Sequence, residues 1–472
     1  MKKRLFLIGV AALATTLATV GCGGDEGSMD IGEDGEIVFR NVNISFQHVI
    51  TGTDNTYLTN LVNEFNKEHQ GQIRVQAAPV QAADIYGNLP LTTSNNRNSD
   101  VMLIHAERVL QFAAQEENGS SRYFRELDDI MELAKVELDP KDFPADVWDN
   151  MQFNGEQYGI PFDMHMAGIY VNTTMLKELG LEMPETREDI IAAAQAAIKA
   201  GHQGFPISNG YPDTYFFINA FLNNGGKQML QEDDEGFDPN QKLSDGTVVP
   251  YQPGAYYNDA AFKAGDSIRD LMYGANKICE PQLQTDAGIS QFRSGNALFT
   301  CDGIWLLNDV IEDAKDEFEF DVLPMSTLFN STANSGYKGV NYTNGHIFVL
   351  PKHTLGGETK TRQQASMYFV KWMLEHSADW AASGKIPAYA PAREEEAFTK
   401  LPYLDGYGEI DSFVAMQASP YTYSAFSPLQ QVTTAVMNAN HELSDDELNT
   451  YVDKYYQEGI NLVKADMSGG SI

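Results

Sequence analysis

Four consecutive apolar residues, Val101 to Ile104, constrain the fold of this chain most strongly. A strand that is apolar at every position must be covered on both faces, which is the habit of a sheet with helices on either side. The preceding residues supply the rest of such a unit. Val42, Ile44 and Phe46 alternate with polar neighbours and predict a strand, while Leu58, Leu61, Val62 and Phe65 recur three and four apart and predict one buried helix face. Ile73, Val75 and Ala77 alternate again, and a polar connection through Asn95 to Asn98 leads into the apolar run. Strand, helix, strand, crossover, strand makes an α/β parallel sheet. Ligands of such open sheets lie beyond the carboxyl ends of the strands, which points to residues 47–55 and 105–108.

The N-terminus carries a different message. Lys2, Lys3 and Arg4 precede an uncharged, apolar stretch over residues 5–20, the pattern of an export signal and shorter than the roughly 20 residues of a membrane span. Gly21 and Cys22 follow, then a Gly-, Asp- and Glu-rich segment. The arrangement resembles a bacterial lipobox, with Thr19 where such boxes usually carry Leu. It implies a signal peptide over 1–21, a flexible acidic linker over 22–35, and lipid on Cys22. Two or more acyl chains hold a protein firmly on a membrane. An ordinary cleaved signal with an incidental cysteine is the alternative.

With 66 acidic and 32 basic residues the formal charge is −34, and loss of Lys2, Lys3 and Arg4 would take it to about −37. Such a surface repels nucleic acid and anionic headgroups, so contact with the membrane is expected through the lipid anchor only. The length exceeds what one core supports, and two domains are expected. Cys279 and Cys301 either pair in an oxidising compartment or stay as buried thiols; two cysteines alone are a poor metal site. No cofactor is expected.

Further along, Asn154-Gly155 marks a turn and Pro161 a fixed extended segment. Thr186, Asp189 and Gly201 bracket a capped helix, and helical patterns return at 365–375 and 430–464. The acidic stretch 231–246 lacks the D-x-[DN]-x-[DN]-G spacing of a calcium loop and reads as solvated.

Six segments in order carry a resemblance: residues 44–71, "SDVMLIHAER" (99–108), "GIPFDMHMAGIYVNTTMLKELGL" (159–181), "FRSGNALFTCDGIW" (292–305), "FDVLPM" (320–325) and "SGKIPAYAPAR" (383–393). Together they resemble the family-1 extracellular solute-binding proteins, the maltose-binding-like lipoproteins of ABC sugar importers. The resemblance implies a two-lobed periplasmic-binding-protein-like fold, each lobe a mostly parallel sheet flanked by helices. Three interlobe crossings are expected near 161–170, near 321–324 and soon after Pro351. Lobe 1 would comprise 36–163 plus 322–355, and lobe 2 164–321 plus 356–468. It further implies a monomeric, non-enzymatic receptor outside the cytoplasm that closes by hinge motion on a carbohydrate and hands it to ABC permease subunits.

A pyranose presents apolar C–H faces and a rim of hydroxyls, so it asks for aromatic plates and for side chains that hydrogen-bond sideways. By the resemblance, Trp305 stacks on sugar, and Tyr215 and Phe216 stand at an aromatic pair. Glu107 and Arg108 stand where maltodextrin binders carry an acid followed by arginine. His105, Asp163 and His165 share that rim, with His165 in place of a glutamate and Ile104 in place of an aromatic. His48, Tyr342, Asn344 and Tyr423 complete the expected cleft. Three rival readings remain: a secreted glycoside hydrolase with two carboxylates roughly 5–10 Å apart, a metal receptor with tyrosines or His, Asp and Glu converging on one point, and a peptide-binding or adhesive protein. The pairs Tyr256-Tyr257 and Tyr455-Tyr456 read as ordinary loop and helix residues.

Overall fold

The structure, a computed structural model, describes residues 27–32, 37–229, 238, 242, 257–280, 286–334, 336–417 and 419–467. The signal segment, Cys22, Tyr256 and nearly all of the acidic stretch 231–246 lie outside the described residues.

The first sheet forms as the N-terminal pattern predicts. Strand β1 (Val42–His48) is parallel to β2 (Ile73–Pro79) and to β3 (Val101–His105), joined by helices α1 (Asn55–Glu68) and α2 (Ala82–Ser94). Leu58, Leu61, Val62 and Phe65 are the buried stripe of α1, and all four residues of the Val101 to Ile104 run are buried. Helix α3 (Ala106–Ala113) starts directly from β3. Two antiparallel strands complete this sheet: β4 (Ile160–Pro161) and, beside β3, a strand from much later in the chain.

The second sheet is organised by β5 (Asp163–Asn172), buried at all ten positions. Helices α4 (Arg187–Ala200), α5 (Tyr211–Asn223) and α6 (Tyr257–Met272) follow it. Helix α4 carries the expected capping box between Thr186 and Asp189, and Gly201 ends it at φ 97°. Strands β6 (Phe299–Gly303), β7 (Phe320–Pro324) and β8 (Asn341–Asn344) all pair antiparallel with β5. The mostly parallel pairing expected of both lobes therefore holds for β1, β2 and β3 but not here, because β5 runs out from the first sheet and the later strands run back along it.

The return is abrupt. Only Gly345 separates β8 from β9 (His346–Val349), the late strand that joins the first sheet antiparallel to β3. A Cβ on Gly345 would lie 2.3 Å from the Asp163 carbonyl oxygen, so the crossing admits no side chain. Helix α7 (Lys360–Glu375) then packs on β1 and α1: Phe369 lies 5.4 Å from Phe46 and 5.0 Å from Phe65, ring to ring, and the Trp372 indole N–H donates to Glu68 at 3.0 Å. Strand β10 (Ile386–Pro387) pairs with the start of β5, and β11 (Phe413–Val414) runs parallel to β8. Helices α8 (Thr422–Phe426) and α9 (Asp445–Met467) bury Ala425, Phe426, Leu448, Val452, Ile460 and Val463 in the core of the second lobe.

These contacts move two expected boundaries. The chain re-enters the first sheet at residues 344–346 rather than near 322, and it stays with that lobe through α7 rather than leaving soon after Pro351. The reason is apolar: Phe369, Val370 and Leu374 on α7 are fully buried against the first sheet's core. Cys279 and Cys301 are both buried free thiols, and burial pushes the Cys279 thiol up to about 12. Among the described residues no helix is long and apolar enough to cross a membrane.

Candidate functional site

A cleft of about 910 Å³ opens where β3, the first turn of α3 and the β8–β9 crossing face α5 and the end of β6. Ligand pockets commonly measure roughly 300–1,000 Å³. One wall comes from the first lobe. His105 ends β3, and its Nδ1 lies 2.8 Å from the Tyr86 hydroxyl, which also accepts the His105 backbone N–H at 3.0 Å. The hydroxyl thus ties both the backbone and the ring of His105 to α2, and the imidazole tautomer sets the direction of the Nδ1 contact. Burial, with His346 and His165 nearby, holds the His105 imidazole well below its usual pKa.

Glu107 and Arg108 occupy the first turn of α3, where an acid suits the helix N-terminus. Burial pushes the Glu107 carboxyl up, against the pull of its own backbone N–H, the Asn344 amide and Arg108, and its Oε2 is buried without a hydrogen-bond partner. Arg108 is 7% exposed, and its guanidinium sits between two rings, 4.4 Å from the centre of Tyr86 and 4.2 Å from that of Tyr423. Its Nε also lacks a partner. Lys385 and Asp54, ion-paired to each other, close this side.

The opposite wall is aromatic. Trp305 lies ring to ring 5.6 Å from Tyr215, 5.9 Å from Tyr211 and 5.8 Å from His165, and Tyr215 lies 5.4 Å from Tyr342. These are edge-on and tilted packings, the arrangements that ring quadrupoles favour. Gly303 makes room for the tryptophan: a Cβ there would lie 2.1 Å from the indole.

Behind the cleft floor stands Asp163, fully buried. Its Oδ2 accepts the Trp380 indole N–H at 2.7 Å, and its Oδ1 accepts the His346 backbone N–H at 3.1 Å. The Nδ1 atoms of His346 and His165 approach the same carboxylate at 2.8 and 3.4 Å. Burial alone would push this carboxyl up, but His346 and His165, through charge and hydrogen bonds, bring it well below the usual carboxylate range. Burial holds the His165 imidazole down to about 4, with Asp163 opposing.

Of the twelve cleft residues expected from sequence, nine line the cavity: His105, Glu107, Arg108, His165, Tyr215, Trp305, Tyr342, Asn344 and Tyr423. Three do not. Phe216 is fully buried in the second lobe against Phe329, because adjacent helical residues point about 100° apart and Tyr215 takes the cleft side. His48 is 1% exposed on the same strand face as Ile44 and Phe46, and the next residues, Val49 and Ile50, line the cleft instead. Burial lowers the His48 imidazole to about 4. Asp163 stands behind the cavity, in contact with His165 and His346. Sequence reasoning missed Tyr86, Tyr211, His346 and Lys385, all of which line the cavity, whereas Asp54 lines it from the 47–55 loop to which the strand ends pointed. His346 was within reach, directly after the Asn344-Gly345 pair.

A family model described as bacterial extracellular solute-binding protein matches residues 60–406. The chain belongs to that family. Among solved structures, the GacH receptor of Streptomyces glaucescens, determined unliganded and with acarbose, superposes at a TM-score of 0.68 with 19% identity over 89% of this chain and 98% of that one. UgpB of Mycobacterium tuberculosis, solved with glycerophosphocholine, reaches 0.67 with 13% identity over 90% and 99%. A lactose-binding protein of Rhizobium radiobacter is 20% identical over 298 residues, 60% of this chain. The match spans 62% of the length of that curated relative. The likeness to the solved structures establishes the two-lobed fold, and their ligands differ in class.

Proposed function

We propose that this chain is the substrate receptor of an ABC importer, held on the outer face of the bacterial cell membrane by lipid on Cys22, and that it captures a mono- or oligosaccharide between its lobes. The observation that carries the reading is the pairing of an aromatic wall, Tyr211, Tyr215, Trp305 and Tyr342, with a polar wall, His105, Glu107, Arg108 and Asn344, around one cleft. Rings suit the C–H faces of a pyranose, and the polar wall offers both donors and acceptors to its hydroxyls. His165 in place of a glutamate argues for a sugar other than maltose. Hinge closure of the lobes gives the permease subunits a liganded form to recognise, and the sugar leaves chemically intact.

Titration of the melting temperature against mono- and oligosaccharides tests this, since a ligand that binds the folded chain raises it by mass action. At least one saccharide is expected to raise it, and chromogenic glycosides are expected to come back uncut. A panel without any shift, or a shift with glycerophosphodiesters alone, overturns the sugar reading. Cys22→Ser is expected to release the protein from the membrane fraction; retention would overturn the anchor.

A further inference from the structure

We infer that Asp163, His165 and His346 form a binding site for one divalent transition-metal ion at the floor of the cleft. One ligand atom from each residue lies within 4.8 Å of the others, and all three side chains are buried. A tetrahedral ion with bonds of about 2.0–2.1 Å sets its ligand atoms roughly 3.3 Å apart. The Asp163 Oδ1 stands 3.4 Å from His165 Nδ1 and 3.0 Å from His346 Nδ1. The first spacing is longer than a good hydrogen bond and close to a coordination edge. The His346 Nδ1, now at hydrogen-bond distance from both carboxylate oxygens, would have to give up its proton and move out by a few tenths of an ångström to seat an ion.

The surroundings are those of a supported ligand. The Trp380 indole N–H and the His346 backbone N–H already hold the two oxygens of Asp163, as outer hydrogen bonds hold ligating carboxylates. His165 and His346 line the cleft and turn their Nδ1 atoms toward Asp163 behind its floor, so the cleft is the side from which an ion would approach. Two imidazoles and one carboxylate suit zinc and its transition-metal neighbours, whereas calcium and magnesium take oxygen ligands. Lys385, the neighbouring cation, is neutralised by Asp54. The His105 ring, 5.4 Å from that of His346 and 6.3 Å from that of His165, stands outside the set. The ligands also come from two strands that cross between the lobes, β5 and β9, so a bound ion would tie the hinge together.

The test uses tag-free protein dialysed against a chelator, without saccharide, so that its outcome does not depend on the sugar reading. Zinc is titrated by calorimetry and by competition with a chromogenic chelator. One equivalent is expected to bind and to raise the melting temperature. His165→Ala and His346→Ala are each expected to weaken binding tenfold or more, and the double variant to abolish it. Trp380→Phe, which removes only the outer hydrogen bond, is expected to cost about tenfold. His441→Ala, an exposed histidine beside Glu447, is expected to change nothing. Should the core variants fail to fold, the visible spectrum of the wild-type cobalt complex decides, since tetrahedral nitrogen and oxygen ligation gives intense d–d bands. Absence of zinc binding at micromolar concentration, an octahedral cobalt spectrum, or undiminished binding in the double variant overturns the site.

Discussion

The two walls of the cleft are held in place by different forces. On the first lobe, a strand end and the first turn of a helix set out charges and imidazoles, each fixed by a specific partner: His105 by Tyr86, Arg108 by two rings, Lys385 by Asp54. On the second lobe, Tyr211, Tyr215, Trp305 and Tyr342 come from α5, the end of β6 and β8, and ring-to-ring packing positions them. The polar wall is therefore woven into the fold, and damage to it should register in the unliganded protein. Damage to the aromatic wall should register in ligand affinity.

The strongest attempt to break this contrast is Arg108→Ala. Its guanidinium is stacked between Tyr86 of the first lobe and Tyr423 of the second, and each desolvated cation–π contact contributes up to about 2 kcal/mol. Urea unfolding without ligand should show a loss of roughly 2–4 kcal/mol, and Arg108→Lys should restore little, because an ammonium cannot stack as a plane does. Unchanged stability would mean that the sandwich is decorative. Trp305→Ala comes next. If the rings form a sugar platform, calorimetry should show a loss of about 1–3 kcal/mol in saccharide affinity; equal affinity removes Trp305 from the platform. Gly303→Ala is the finer version: its Cβ would displace the indole without deleting it, so roughly 1 kcal/mol should go, with a shift in tryptophan emission. Unshifted emission would show that the indole does not rest on Gly303.

Much of this was legible in the sequence, and the failures have physical causes. The Val101 to Ile104 run, the α1 stripe and the Thr186 to Gly201 caps are local signals, and each forms as it reads. Lobe membership is not local. Helix α7 has apolar residues that could cover either sheet, and only the position of β9, set by the Gly345 crossing, commits it to the first. Strand direction in the second sheet failed for the same reason, since it follows from where the chain crosses. In the site, His105, Glu107, Arg108 and Trp305 reach the cleft from a strand end or a helix start, whereas Tyr215 and Tyr342 reach it from within α5 and β8. Phe216 and His48 missed it because a single residue's step along a helix, or the alternation of a strand, turns the side chain into the core. Tyr86 was invisible because it reaches the site by packing against His105, 19 positions away.

The smallest effect compares two buried carboxyls that meet opposite fates. Asp163 has an indole, a backbone N–H and two imidazoles around it and stays ionised. Asp302, 2% exposed on β6 just before Gly303, accepts from the Gly303 backbone N–H at 2.7 Å, and burial pushes it up to about 7. Its folded pKa is thus raised above the unfolded one. Between about pH 4 and 7 the native state holds a proton that the unfolded chain has released, so this group's contribution is full at low pH and fades as pH rises. The slope is at most about 1.4 kcal/mol per pH unit. Asp302→Asn mimics the protonated form and removes this term, so its urea midpoint should match wild type near pH 4 and exceed it at pH 8. Parallel midpoints across that range would mean that Asp302 ionises freely in the folded protein. The aromatic wall would then rest on a solvated strand end rather than a dry one.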